Sequence, residues 1–121
     1  MKNFEEMGLP DQILETLKAM QFSEPTPIQI EAIPLAIQGK DILGSAQTGT
    51  GKTAAFGLPL IARLLANPQG TALVMTPTRE LATQVLSQLR LMLGKSTNIK
   101  TALLIGGDSM SKQIRQIRDK P

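Results

Sequence analysis

Residues 46–53 read Ala46-Gln47-Thr48-Gly49-Thr50-Gly51-Lys52-Thr53, and the fold turns on this stretch. It follows Ile42, Leu43 and Gly44, a short apolar run that reads as a buried strand. It precedes Ala54-Ala55-Phe56-Gly57-Leu58, which reads as the start of a helix. Strand, glycine-rich loop and helix in that order are the context of a phosphate-binding loop. Gly49 and Gly51 let the backbone curl and approach a ligand with no Cβ in the way. The curled backbone aims N–H groups inward, and the helix N-terminus adds partial positive charge. Lys52 supplies a mobile ammonium for the β- and γ-phosphates, and Thr53 offers a hydroxyl to a magnesium ion. Ala46 departs from the general G-x-x-x-x-G-K-[ST] pattern, which begins with Gly. A Gly/Thr-rich turn that merely ends in Lys-Thr is the alternative, and the flanking strand and helix disfavour it.

The 121 residues suffice for one domain with a modest core, and 41% of them are hydrophobic. No apolar run approaches the ~20 residues that span a bilayer, so no membrane association is expected. The N-terminal Met1-Lys2-Asn3-Phe4-Glu5-Glu6 lacks the apolar core of a secretion signal. There is no cysteine and no histidine, which removes disulfides and makes a zinc site an unfavoured reading. A cytoplasmic chain is expected. Residues 1–80 carry six Lys/Arg against eight Asp/Glu, and residues 81–121 carry seven against two. The basic C-terminal third suits a polyanionic partner, although a solvated helix surface has the same look. Phe4, Phe22 and Phe56 are the only aromatic residues, too few for a sheet that stacks RNA bases.

Ile13, Leu14, Leu17 and Met20 share one helical face, with the start at Pro10 and Asp11. A second helix opens at Thr26-Pro27, with Thr26 as N-cap and Pro27 in the first turn. Pro34 is expected to kink or interrupt it. The helix after the phosphate loop should run to about Leu65 and stop at Asn67-Pro68-Gln69-Gly70. Thr71 to Thr76 reads as a second buried strand. A helix follows from about Thr78 to Leu93, with Leu81, Val85, Leu89 and Met92 inward and Gly94-Lys95-Ser96 ending it. Ile99 to Ile105 reads as a third strand, closed by Gly106-Gly107. Ser109 to Arg118 reads as a helix with Met110, Ile114 and Ile117 at helical spacing. Alternating strands and helices predict an α/β domain, a mainly parallel sheet flanked by helices.

Two further segments carry chemistry. In Phe22-Ser23-Glu24-Pro25-Thr26-Pro27-Ile28-Gln29, the Gln29 amide can donate and accept at once, matching the N6/N7 edge of adenine, with Phe22 as a stacking face. Thr26-x-x-Gln29 is also a capping box. The local pattern favours the cap, and the two roles can coexist. Pro77-Thr78-Arg79-Glu80-Leu81-Ala82 ends a strand and opens a helix, where ligands of open α/β sheets bind. Thr78 and Arg79 can meet a phosphate there; a helix cap with a solvated Arg is the plainer reading. Gly106-Gly107 permits close approach to a sugar–phosphate chain, or is simply a turn.

Together these residues resemble a DEAD-box RNA helicase. The Q motif of that family matches Phe22, Pro25, Thr26, Pro27, Ile28 and Gln29, with the isolated upstream aromatic at Phe4. Motif I matches Ala46 to Thr53, where Ala46 is the family's usual residue. Motif Ia matches Pro77 to Ala82, and the glycine doublet matches Gly106-Gly107. Gln21 departs from the family, which usually has Gly there. The resemblance covers essentially the whole chain. It implies the P-loop NTPase, RecA-like fold, with residues 1–121 as an incomplete N-terminal portion of its first domain. It implies ATP binding by Phe4, Phe22, Gln29 and Ala46, Gln47, Thr48, Gly49, Thr50, Gly51, Lys52 and Thr53, with Lys52 and Thr53 serving catalysis and Thr53 holding Mg2+. It implies that Pro77, Thr78, Arg79, Gly106 and Gly107 touch RNA backbone without reading sequence.

Missing pieces bound what the stretch can do. The Asp-Glu-Ala-Asp and Ser-Ala-Thr motifs do not occur in it, nor does the second RecA-like domain the family carries. Asp108 is rejected as a magnesium carboxylate, because the glycine doublet displaces it from the strand end. The parent is expected to be an ATP-dependent RNA helicase that unwinds RNA, and these residues alone to bind nucleotide at most. A P-loop kinase or transport ATPase leaves the Phe22–Gln29 and Pro77–Ala82 segments unexplained. A naturally truncated, non-enzymatic nucleotide- or RNA-binding module is the other alternative.

Overall fold

The computed structural model describes residues 3–47, 49, 51–94 and 97–121. A short 3-10 turn, Phe4–Glu6, leads into α1 (Asp11–Ala19), α2 (Pro27–Ile37), α3 (Lys52–Ala66), α4 (Arg79–Leu93) and α5 (Met110–Arg118). The ends fall where capping chemistry places them. Thr78 Oγ1 accepts from Leu81 N–H at 3.1 Å, and Ser109 Oγ accepts from Lys112 N–H at 3.3 Å. Gly94 ends α4 with φ 68.

The core is made by the N-terminal turn and the first four helices. Phe4, Met7, Leu9, Ile13, Leu17, Ile33, Leu58, Ile61 and Met92 form one buried cluster with Ala54 and Leu93. Each large aliphatic side chain buried there contributes about 1.5–3 kcal/mol of transfer free energy. Helix α3 packs on α2 and α4, and α4 also meets α1. A Cβ at Gly57 would lie 2.8 Å from Leu89 Cδ2, so α3 and α4 approach closely there.

Helix α2 runs unbroken through Pro34, contrary to the expected interruption. Proline removes one hydrogen bond, and the burial of Ala32 and Ile33 beside it holds the helix in place. Leu81 is exposed rather than inward: it lies in the first turn of α4, ahead of the part, Val85 to Leu93, that reaches the core. Helix α5 buries none of its residues, and Met110, Ile114 and Ile117 face outward.

The largest departure is the sheet. The three expected strands, Ile42–Gly44, Thr71–Thr76 and Ile99–Ile105, are not strands, and the described residues contain none. An apolar run can specify that a segment belongs inside a protein, but a strand exists only beside a partner's N–H and C=O groups. No backbone–backbone hydrogen bond among the described residues joins these segments to one another. In the first two, large side chains stay in water: Leu43 is 103% exposed, Leu73 83% and Met75 84%; in the third, Ile99 packs against the core and Leu103 and Ile105 are half-buried. The accessible surface is 8540 Å² for 13.0 kDa, against roughly 6,300 Å² for a compact monomer of that mass.

Candidate nucleotide and nucleic-acid site

The candidate phosphate loop leads into α3, with Gly51 at the helix N-cap. Gly49 (φ 84) and Gly51 (φ 83) both adopt the left-handed backbone. Gly51 is the N-cap of α3 and brings no capping side chain. Lys52 is exposed and opens the helix; Thr53 follows, half-buried. Ala46 is half-buried and Gln47 exposed. Thr48 and Thr50 lie outside the described residues.

Gln29 joins the loop to α2. Its Oε1 accepts from Thr26 N–H at 3.0 Å, closing the Gln29 half of the capping box. Its Nε2 donates to the Gly51 carbonyl at 3.2 Å, across 22 residues of sequence. Thr26 Oγ1, the other half of the box, is buried and makes no well-formed hydrogen bond among the described residues. Gln29 is therefore a cap and a brace for the loop together, and is 3% exposed. Its amide has capacity for four hydrogen bonds, and these two leave an N–H and a lone pair.

Phe22 is placed by a helix ending. Phe22 N–H donates to Leu17 O at 2.9 Å and Gln21 N–H to Lys18 O at 3.0 Å, the two bonds of a Schellman motif after Ala19. The residue at the left-handed position is Gln21, with φ 62. Glycine suits that position best, which explains why Gln21 is the departure in the segment. Phe22 stacks on Phe4, with centroids 6.5 Å apart and planes at 30°. Phe4 is 3% exposed and Phe22 37%, so Phe4 supports from the core while Phe22 presents the open face. A cleft of about 440 Å³ opens there, walled by Phe4, Leu17, Lys18 and Gln21. A second cleft, of about 470 Å³, lies by Arg90, Thr101 and Gln116, away from the phosphate loop, and includes none of the candidate residues.

The other candidates converge at a second place. Arg79, at the start of α4, lies along Gly106-Gly107: a Cβ at Gly107 would stand 2.8 Å from Arg79 Nη1. Gly107 has φ 84, so its backbone favours glycine, while a Cβ there would meet only the end of the Arg79 side chain. Pro77, Thr78 and Arg79 are exposed with the doublet. Thr78 is the predicted cap, and its hydroxyl proton can still be donated to a phosphate. Asp108 is turned to its own helix: Oδ1 accepts from Ser109 N–H at 2.8 Å, and Oδ2 pairs with Lys112 Nζ at 3.6 Å. The sequence carried no signal for the Arg79–Gly107 contact, which is long-range, or for the side chains of α5 that hold residues 103–108, which depend on how α5 folds back on the segment before it. Among the described residues no group of three or more acidic, His or Cys side chains could hold a metal, and no helix is long and apolar enough to cross a membrane.

Comparison with known proteins identifies the family. The chain is 45% identical to the ATP-dependent rRNA helicase rrp3 of Aspergillus fumigatus, over 99% of this chain and 25% of that protein. Its structure is similar to that of a DEAD box protein from the hyperthermophile Methanococcus jannaschii, with TM-score 0.84, 39% identity, and coverage of 94% of this chain and 31% of the other. It is also similar to the RNA-helicase Prp28 from Chaetomium thermophilum bound to ADP, with TM-score 0.82, 40% identity, and coverage of 98% and 30%. The chain thus spans about a quarter to a third of the length of these relatives. The sequence model described as DEAD/DEAH box helicase matches residues 26–121, so the loop and doublet that the geometry singles out fall within it, and the chain belongs to the DEAD/DEAH box helicase family.

Proposed function

We propose that this chain is the nucleotide-binding portion of an ATP-dependent RNA helicase, the N-terminal part of its first RecA-like domain. The Gln29–Gly51 hydrogen bond carries the reading, because it couples a candidate base-recognising amide to the phosphate loop. ATP lies with its phosphates on Gly49, Thr50, Gly51 and Lys52. Its adenine meets the remaining capacity of Gln29, with Phe22 against the base. Lys52 neutralises phosphate charge, and the first-turn N–H groups of α3 donate to phosphate oxygens.

The residues present suit Mg2+ only in part. Thr53 would be its one protein ligand, with ATP oxygens and waters completing the shell, as this ion ordinarily accepts. When bound, the ion supplies charge neutralisation at the phosphates. The 121 residues contain no Asp-Glu-Ala-Asp segment, so the chain alone binds nucleotide without turnover. Residues 42–44, 71–76 and 99–105 become strands of a parallel sheet in the parent, beside strands that this stretch does not include. A second RecA-like domain completes the ATP site, in a cytoplasmic protein. Single-stranded RNA lies over Pro77, Thr78, Arg79, Gly106 and Gly107 through its backbone.

Melting curves of the chain with ADP or GDP test this. A ligand at a hundred times its Kd should add about 2.7 kcal/mol to the folded site. The reading requires a shift with ADP that exceeds the shift with GDP, is abolished by Lys52→Ala, and loses its base preference in Gln29→Ala. Equal shifts with both nucleotides would refute adenine recognition, and measurable ATP turnover blocked by Lys52→Ala would refute the non-catalytic assignment.

A further inference from the structure

The glycine doublet is held by a helix side chain rather than by a sheet. Gln113, in the first half of α5, meets the turn at three points. Its Oε1 accepts from Ile105 N–H at 3.2 Å. Its Nε2 donates to Ile105 O at 2.9 Å and to Asp108 O at 3.4 Å. Ile105 and Asp108 are the residues that flank Gly106-Gly107. A primary amide offers the same donor and acceptor pair as a peptide group, so at Ile105 it stands where a neighbouring strand would stand. Gln116 continues the pattern, with Oε1 accepting from Leu103 N–H at 2.9 Å. Residues 103 and 105 thus take their backbone partners from α5, and the turn between Ile105 and Asp108 is clipped at both ends.

The clip matters because of what lies across the turn. The Arg79 guanidinium rests against Gly107, whose φ is 84. Any relaxation of the turn changes the spacing between those backbone atoms and the guanidinium. We propose that Gln113 is a positioning residue for the RNA-backbone surface, fixing Gly106-Gly107 opposite Arg79 so that one phosphate can meet both. This rests on the reading that the doublet and Arg79 contact RNA. Gln113 is half-buried with its amide occupied by the turn, and it acts through the doublet.

The test compares Gln113→Met, which keeps length and packing but has no amide, and Gln113→Glu, which keeps the acceptor and sets a carboxylate against two carbonyls. Ser111→Ala, at an exposed site on α5, is the control. The probe is a fluorescent single-stranded oligouridylate, read by anisotropy. The ADP-induced melting shift reports folding and the phosphate loop. Exchange of the Ile105 amide hydrogen reports the clip. Both Gln113 variants are expected to exchange Ile105 faster and to bind oligouridylate about threefold to tenfold more weakly, the equivalent of roughly one hydrogen bond. Their ADP shift should match wild type. Loss of the ADP shift together with RNA affinity would mean a general stabiliser and would overturn the positioning role. So would unchanged RNA affinity in Gln113→Met beside a weakened Gly107→Ala. RNA binding unchanged in Gly107→Ala, or absent from the wild-type chain, would instead refute the doublet reading on which the proposal rests.

Discussion

Replacing Gln21 by glycine is expected to stabilise the chain, although it removes a side chain and adds freedom to the unfolded state. Gln21 occupies the left-handed position of the turn that ends α1, with φ 62. That conformation brings the Cβ of an L-residue against the following carbonyl, at a cost of about 1–2 kcal/mol. Glycine removes this strain and returns about 0.5–1 kcal/mol through its greater unfolded-state entropy. The difference favours glycine by about 0.5–1 kcal/mol, and Gln21 is exposed, so little packing is lost. Near 60 °C, unfolding entropy is about 2.1 cal/mol/K per residue. For 121 residues this converts the gain into a Tm rise of about 2–4 °C. Circular dichroism melts of wild type, Gln21→Gly and Gln21→Ala provide the assay. Alanine keeps the Cβ and should leave Tm within about 2 °C of wild type. A lower Tm for Gln21→Gly, or an equal rise in Gln21→Ala, would refute strain as the cause. The same turn sets Phe22, so Gln21→Gly should leave the preference for ADP over GDP intact.

Gly51→Ala should abolish the nucleotide-induced melting shift, since the new Cβ would overlap Gln29 Nε2 and lie 3.1 Å from Thr26 Oγ1, at a φ of 83; an undiminished ADP shift would contradict the placement of Gln29 on the loop. Thr78→Ala should lower stability by about 0.5–2 kcal/mol through loss of the α4 cap, with Thr78→Ser near wild type in urea unfolding. The exposed Leu73 and Met75 should make the chain associate with rising concentration in light scattering, and Leu73→Glu with Met75→Glu should reduce it; a monomeric wild type at high concentration would show that this surface is not adhesive.

Much of the secondary structure was legible because its determinants are local. Thr26-Pro27 opens α2, Thr78 opens α4, Ser109 opens α5 and Gly94 closes α4, each through bonds or backbone preferences within about one helical turn. The glycine-rich turn into α3 was legible for the same reason, since Gly49, Gly51 and the helix that follows are contiguous. The apolar runs at 42–44, 71–76 and 99–105 announced burial, but no strand forms in this structure, because a strand is defined by a partner rather than by its own residues. Pro34 does not interrupt α2, because burial of Ala32 and Ile33 outweighs one missing hydrogen bond. The residues that carry the candidate chemistry are set by local order in the chain: a glycine-rich loop before a helix, an amide in a capping box, and an arginine and a glycine pair at segment ends. Which of these residues meet is settled by packing. Gln29 braces Gly51, Arg79 rests on Gly107, and Gln113 clips the doublet. Those first two pairs join residues far apart in the chain, and packing rather than periodicity brings them within reach.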